Sequence, residues 1–129
     1  MENTKYIERQ ENFKRGQIYI ASLGREAVGS EQAGKRPVLV IQNDIGNKYS
    51  TTMVVATLST KIPRNPQRTH VLLKREECKG LDRDCVVMLE QIKTISKERI
   101  EIASPVATVD RKTMEKINKA ILLSLGITL

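Results

Sequence analysis

Between residues 17 and 109, short apolar runs alternate with polar connectors that contain glycine and proline. The first run, RGQIYIASL, alternates in the manner of a half-buried strand entered by a turn at the glycine. Its pattern predicts that Ile18, Ile20 and Leu23 face inward, and that Tyr19 and Ala21 lie on the other face.

Several later runs predict further strands: PVLVIQ, TMVVATLS, THVLL and CVVMLEQIKTI. Their continuous apolar stretches are typical of strands that are covered on both faces. Because Pro37 cannot donate a ladder hydrogen bond, it marks either the first residue of its strand or a sheet edge. SKERI predicts a single helical turn, and EIASPVATV predicts an edge strand interrupted by Pro105.

The last apolar pattern has a helical period. Asp110 is a good N-cap residue and Gly126 stands where a helix C-cap is expected. The apolar positions of this amphipathic helix are Met114, Ile117, Ile121 and Leu125. Five or six short strands followed by one helix indicate a mainly β fold with a C-terminal α-helix, built as a small barrel or a strongly curved sheet.

The polar connectors indicate one domain preceded by a short N-terminal extension. Residues 1–13 form a charged N-terminal extension, helical or mobile, and residues 14–129 form a single domain. The glycine-rich stretch GREAVGSEQAGK predicts a mobile loop, and NDIGNKYST predicts a connector rich in turns. The chain begins with a polar stretch and holds no apolar run long enough to cross a bilayer, so we expect a cytoplasmic protein with no membrane partner.

Composition and net charge indicate the size of the domain and the kind of partner it could bind. The 129 residues are 40% hydrophobic and 29% charged, which fits one globular domain of modest core, and a chain of this size often forms an oligomer. The net charge of +7 favours a polyanionic partner such as nucleic acid or an acidic protein, although a merely soluble basic surface has the same charge. The stretch from Lys61 to Arg75 holds five cations and no carboxylate, as a phosphate track or a solvated loop would.

The chemistry on offer excludes several classes of enzyme. No nucleotide-binding glycine loop, serine-hydrolase elbow or zinc-peptidase motif is present. Cys78 and Cys85 lack metal-site spacing, so we interpret them as reduced thiols, with Cys85 buried at the start of a strand. His70 stands alone, and a lone histidine is more often structural than catalytic. We therefore expect no metal and no cofactor.

Arginine and hydroxyl groups are nevertheless enough for RNA cleavage, because RNA supplies its own nucleophile in the 2′-hydroxyl. Arg36 precedes a rigid apolar run and offers a fixed fork for phosphate oxygens. Ser59 and Thr60 end another strand and offer hydroxyls. The residues alone favour plainer interpretations: an exposed arginine or an ion pair with Glu31 for Arg36, and a solvent-exposed strand end for Ser59 and Thr60.

The segments RGQIYIASL, GSEQAGKRPVLVIQNDIGN, THV and VVMLEQIKTISKERI, in this order, resemble the MazF (PemK/Kid) toxin family. The similarity is greatest to the branch found in Gram-positive bacteria, and it runs from about Lys14 to the C-terminus. It implies an SH3-like β-barrel of the CcdB/PemK type that forms a homodimer, with single-stranded RNA across the dimer interface.

The resemblance also implies an activity and a partner. The activity is that of an mRNA interferase, a metal-independent endoribonuclease that leaves a 2′,3′-cyclic phosphate and a 5′-hydroxyl. The partner is a MazE-like antitoxin whose acidic segment folds into the RNA groove, which suits the positive charge of this chain. By similarity, the cleaved sequence would be a pentamer of the UACAU type.

Family positions carry over to particular residues. Arg36 matches the catalytic arginine, and Ser59 stands where the family usually has threonine, which leaves either Ser59 or Thr60 as the catalytic hydroxyl. Because Arg36 stays protonated, Glu31 is the candidate general base. The candidate RNA-binding residues are Ser30, Gln32, Thr60, Lys61 and Gln91.

Two other functions use the same kind of barrel: a CcdB-like inhibitor of gyrase without nuclease activity, and a non-catalytic RNA-binding regulator. The arginine and hydroxyl pair favours the nuclease, since a pure inhibitor has no need of it.

Overall fold

The computed structural model describes residues 13–24, 28–29 and 33–128. Within these residues the chain forms six strands, two α-helices and one 3-10 turn. The strands are β1 (Gln17–Ser22), β2 (Lys35–Val40), β3 (Thr52–Ser59), β4 (His70–Leu73), β5 (Cys85–Ser96) and β6 (Ala107–Thr108). The helices are α1 (Asp44–Tyr49) and α2 (Arg111–Ser124), and the 3-10 turn is Lys97–Arg99.

The strands form one antiparallel, curled sheet in the order β4-β5-β3-β2-β1-β6, and this confirms the predicted mainly β fold with a C-terminal helix. One side of the sheet packs against α2 through a core that includes Ile18, Leu39 and Leu58 together with Ile117 of the helix. We call this side the helix face, and the other side the site face.

Opposite the helix, the site face carries a second core cluster, which includes Phe13, Tyr19, Val38 and Met53. The Phe13 and Tyr19 rings pack edge to face, with their centres 5.0 Å apart. Burial raises the pKa of the Tyr19 phenol to about 12. The assignment of one inward face to β1 was therefore wrong: Tyr19 and Ala21 are fully buried and Ile20 is half-buried, because both faces of this strand are covered.

Helix α2 follows the sequence prediction at its ends. The Asp110 carboxylate accepts a hydrogen bond from the Thr113 backbone N–H at 2.7 Å, and Gly126 adopts a φ of +70° just after the C-cap. The prediction that Leu125 belongs to the apolar face of the helix was wrong. Leu125 is exposed because the helix has already ended, and Ala120 is buried on that face instead.

Three other predictions need correction. NDIGNKYST is not merely turns, because the Asn43 side chain accepts from the Gly46 N–H and so caps the short helix α1. EIASPVATV contributes only the two residues of β6 to the sheet.

Pro37 is neither the first residue of β2 nor on an edge strand. The ladder between β2 and β3 begins after Pro37, at Val38, because proline has no N–H to donate.

The loop between β4 and β5 reaches across to the far edge of the sheet. A Cβ on Gly80 would lie 2.0 Å from the Val106 backbone oxygen, and Gly80 has a φ of +107°. The Cys78 thiol contacts the Thr108 carbonyl oxygen at 3.7 Å. This loop therefore brings the β4–β5 edge against β6 and curls the sheet toward a barrel, as predicted.

Cys78 and Cys85 are both buried free thiols, and Cys85 begins β5 as expected. Burial is the main cause that raises the pKa of each thiol. A buried lysine was not predicted: Lys97 donates to the Asn47 backbone oxygen and lies over the Phe13 ring, and its burial lowers its pKa. No described helix is long and apolar enough to span a membrane.

Candidate active site

The site face brings the two main predicted residues to one end of the sheet. Val38 pairs with Thr57 across β2 and β3, and continuing this register by two residues brings Arg36 level with Ser59. Side chains alternate between faces along a strand, so Arg36 and Ser59 share the face of Val38 and Thr57. The cation and the hydroxyl that were predicted to act together therefore lie on neighbouring strands and on one face.

The Arg36 side chain is exposed and partly fixed. Its Nε donates to the Ala33 carbonyl oxygen at 3.0 Å, and its terminal nitrogens make no hydrogen bond to the described residues. The ion pair that the described residues show at this strand end is made by Lys35, whose Nζ lies 2.9 Å from the Glu101 carboxylate. Arg36 can thus offer its terminal N–H groups to a phosphate.

Ser59 ends β3 half-buried, and its hydroxyl oxygen accepts a hydrogen bond from the Lys61 backbone N–H at 3.1 Å. The hydroxyl hydrogen remains available for a phosphate oxygen, because this bond uses only an acceptor position. Thr60 and Lys61 follow directly and are exposed. The structure thus places all three at the same strand end.

Three predicted residues, Ser30, Glu31 and Gln32, lie outside the described residues. The loop that carries them leaves the sheet at a defined point: Leu23 N–H donates to the Gly34 oxygen at 2.9 Å, and Gly34 N–H donates to the Gly24 oxygen at 2.6 Å. Arg36 lies two residues beyond this closure, in the register that pairs it with Ala21.

Gln91 lies in a bulge of β5. Ala56 pairs with Ile92 whereas Thr57 pairs with Met88, so three residues of β5, Leu89 to Gln91, have no partner on β3. The half-buried Gln91 side chain places its amide nitrogen 3.7 Å from the Met88 sulfur, a weak acceptor. Gln91 therefore lies beside the Ala56–Thr57 step, a short way along β3 from Ser59.

His70 and Glu90 hold this bulge in place. His70 Nε2 lies 2.9 Å from the Glu90 carboxylate, and His70 Nδ1 accepts from the Gln67 backbone N–H at 3.0 Å. Thr69 donates its hydroxyl to the second Glu90 oxygen at 3.1 Å. Both ring nitrogens of His70 are engaged, as expected of a structural histidine, and the bulge that presents Gln91 is fixed to β4.

Thr57 is the residue of this face that the sequence analysis missed. It is 1% exposed, and within the described part of the chain its hydroxyl oxygen is the one buried side-chain polar atom without a hydrogen-bond partner. The sequence held a signal, since Thr57 is a polar residue inside the apolar run MVVATL.

The described residues contain no group of three or more His, Cys, Asp or Glu side chains able to hold a metal ion. What the site face offers in those residues is a guanidinium, hydroxyls and a carboxamide. These groups can bind and polarise a phosphodiester and read the edge of a base.

Comparison with known proteins places this geometry in a family. Residues 14–125 match the model of the PemK-like, MazF-like toxins of type II toxin–antitoxin systems. The chain is 44% identical over 114 residues to endoribonuclease EndoA of Bacillus subtilis, covering 88% of this chain and 95% of that protein. It is 43% identical over 115 residues to endoribonuclease MazF of Staphylococcus saprophyticus, covering 89% and 92%.

A solved structure agrees with these relatives. An endoribonuclease in complex with its cognate antitoxin, from a mycobacterial species, superposes with a TM-score of 0.71 at 26% identity, covering 91% of this chain and 98% of that one. The expected family, fold class and enzyme class are thereby confirmed. This chain belongs to the PemK-like, MazF-like toxins of type II toxin–antitoxin systems and is an endoribonuclease of that family.

Proposed function

We propose that the site face binds single-stranded RNA and that Arg36 and Ser59 together hold the scissile phosphate. The observation that carries this proposal is their common position at the ends of β2 and β3, on one face. The RNA 2′-hydroxyl attacks the adjacent phosphorus, the bond to the 5′-oxygen breaks, and the products are a 2′,3′-cyclic phosphate and a 5′-hydroxyl.

Each residue has a separate task in this reaction. Arg36 neutralises the charge that grows on the equatorial oxygens of the phosphorane and donates a hydrogen bond to the leaving 5′-oxygen, which takes its proton from solvent. Ser59 orients the phosphate through its hydroxyl. Because a guanidinium does not lose its proton at neutral pH, Glu31 is our candidate for accepting the proton of the 2′-hydroxyl.

Recognition of the RNA uses the residues around this pair. Thr60 and Lys61 continue from Ser59 into an exposed basic stretch, where Lys61, Arg64 and Arg68 can follow the phosphate backbone. Gln91 offers a carboxamide for a base edge, and Ser30 and Gln32 belong to the loop before Arg36. We expect the preferred site to be a UACAU-like pentamer.

The active form is a homodimer in this proposal. Four apolar side chains at the C-terminal end of α2 and on the edge strand β4 are 46–61% exposed: Leu72, Leu123, Leu125 and Ile127. Leu72 and Leu123 line one groove, beside Lys116 and Lys119. An apolar group of this kind at a sheet edge is typical of a surface that packs against another chain.

The natural inhibitor in this proposal is a MazE-like antitoxin. The mycobacterial relative is known in complex with its cognate antitoxin. A net charge of +7 on this chain suits an acidic, initially disordered segment that folds along the RNA site and excludes the substrate.

One experiment tests the central proposal. Purified protein is incubated with defined single-stranded RNA in excess EDTA, and the ends of the products are characterised. Cleavage that leaves 2′,3′-cyclic phosphate ends supports the proposal. RNA that is bound but intact would instead support a non-catalytic regulator, and intact RNA with inhibited gyrase would support a CcdB-like function.

A further inference from the structure

The hydroxyl of Thr57, which has no hydrogen-bond partner among the described residues, lies in the part of the site face that separates Ser59 from Gln91. Thr57 is two residues before Ser59 on β3, so both side chains point to the same face. Its cross-strand partner on β2 is Val38, and its partner on β5 is Met88. A polar group at this position faces apolar neighbours on both sides.

Burying a hydroxyl without a hydrogen bond costs about 1–3 kcal/mol, so such a group in a folded protein needs an explanation. A valine has nearly the same shape and would remove that cost. Among the described residues the hydroxyl is therefore an unused hydrogen-bonding position, two residues along β3 from Ser59 of the proposed substrate site.

The Gln91 carboxamide is the polar group best placed to use it. Gln91 emerges from the bulge that begins at the Thr57–Met88 pair, and its amide nitrogen contacts only the weakly accepting Met88 sulfur within the described residues. Glu90, held by Thr69 and His70, fixes the backbone of the bulge, so the remaining freedom of Gln91 is in its side chain.

We propose that Thr57 is a positioning residue for base recognition: when RNA binds, the Gln91 carboxamide turns from the Met88 sulfur to hydrogen-bond the Thr57 hydroxyl. This bond holds the carboxamide in one orientation toward the base, with the hydroxyl donating to the amide oxygen or accepting from the amide nitrogen. A carboxamide that rotates freely presents either edge and accepts several bases, whereas one held by Thr57 selects bases with the complementary pattern of donors and acceptors. The inference rests on the proposed binding of RNA to the site face.

The test compares the wild type with Thr57→Val, Thr57→Ser and Gln91→Leu in EDTA. Each protein cleaves a panel of RNA oligonucleotides in which the base at every nucleotide around the cut is changed in turn. We expect Thr57→Val to lower the ratio of kcat/KM for the preferred base to kcat/KM for the other bases about five- to tenfold at one nucleotide. This factor corresponds to the loss of one hydrogen bond. Thr57→Ser, which keeps the hydroxyl, should retain the preference.

Two further measurements separate this role from a purely structural one. Gln91→Leu should reduce the preference at the same nucleotide, and the double variant should lose no more than Gln91→Leu alone. The melting temperature of Thr57→Val should equal or exceed that of the wild type, because an unsatisfied hydroxyl has been removed. Thr94→Val, at an exposed threonine of β5, is the matched control and should leave the preference unchanged.

Several results would overturn the inference. They are an unchanged base preference in Thr57→Val, an equal loss of cleavage on every RNA of the panel, and effects of Thr57→Val and Gln91→Leu that fall on different nucleotides. Failure of the proposed RNA site gives another result, since the wild type itself would then leave the panel uncut.

Discussion

Arg36 and Ser59 lie level with each other on adjacent antiparallel strands, although 22 positions separate them in the sequence. Pro37 ends the β2–β3 ladder just before this level, because it has no N–H to donate. The two strand ends are thereby released from each other at the point where we propose that the phosphate binds. This arrangement places a charged donor and a hydroxyl on rigid strands without joining them to each other.

The first prediction concerns Arg36. Arg36→Ala should lower kcat/KM for RNA cleavage about a hundred- to a thousandfold, as the loss of a main donor to a transition-state oxyanion does. Its side chain is exposed and its Nε contact to Ala33 is local, so circular dichroism and melting temperature should stay close to those of the wild type. Lys35→Ala removes a neighbouring exposed cation and is the control. Normal cleavage by a folded Arg36→Ala protein would contradict the assignment.

Replacing Ser59 by alanine and by threonine should affect cleavage differently. Ser59→Ala should lower kcat about 10- to 100-fold, because a hydrogen bond to a charged group is lost. Ser59→Thr keeps the hydroxyl and restricts its rotamers, so its cleavage should equal or exceed that of the wild type. Thr60→Val distinguishes the neighbouring hydroxyl. If Thr60→Val abolishes cleavage while Ser59→Ala leaves it intact, Thr60 is the catalytic hydroxyl.

The exposed apolar group at the end of α2 predicts where the proposed dimer forms. Leu123→Glu should convert the dimer to a monomer in light scattering after gel filtration, since a carboxylate would be buried among Leu72 and its apolar neighbours. Ile45→Glu alters an isoleucine that is 75% exposed on α1 and should leave the molar mass unchanged. If the Leu123→Glu protein is still a dimer, the dimer interface does not include this surface.

Gly80 predicts a large effect on stability. Alanine there would place a methyl group 2.0 Å from the Val106 oxygen and require a left-handed backbone, so the free energy of unfolding should fall by at least about 2 kcal/mol. Gly126→Ala is the matched control: Gly126 also has a positive φ, but among the described residues no atom outside its chain neighbours lies within 4 Å of the added methyl group. Denaturant unfolding of both variants measures the difference, and equal losses would show that the contact with Val106 is unimportant.

Tyr19 predicts the behaviour at alkaline pH. Burial raises its pKa from 10.0 to about 12, so the folded state holds the phenol proton more tightly than the unfolded state does. The corresponding stability is complete below pH 10 and is lost as the pH rises from 10 through 12, by about 3 kcal/mol in all. Urea unfolding of the wild type and Tyr19→Phe across this range measures it.

In that comparison the buried thiols of Cys78 and Cys85 are present in both proteins, so their own titration cancels. Relative to the Phe variant, the wild type should lose stability between pH 10 and 12. Parallel curves for the two proteins would show that Tyr19 titrates as it does in the unfolded chain.

The local elements were determined by the sequence itself. Residues 52–59 and 85–96 are apolar runs that can bury both faces, and Asp110 with Gly126 provides the chemistry that begins and ends α2. These features depend on neighbours in the chain, so their pattern predicts them. Four segments between Arg15 and Ile100, one of them around Arg36, carried the family resemblance, because each of them is a continuous stretch of sequence.

Only the tertiary structure decided which residues from distant parts of the chain lie next to each other. The burial of Tyr19 depends on Phe13 and on strands far along the chain, which the alternation in β1 does not encode. The bulge that presents Gln91 arises where β5 changes its pairing with β3 at Ala56 and Thr57, and its anchors come from β4. Strand register is a long-range property. It sets Arg36 level with Ser59 and leaves the Thr57 hydroxyl without a partner in the part of the chain that the structure describes.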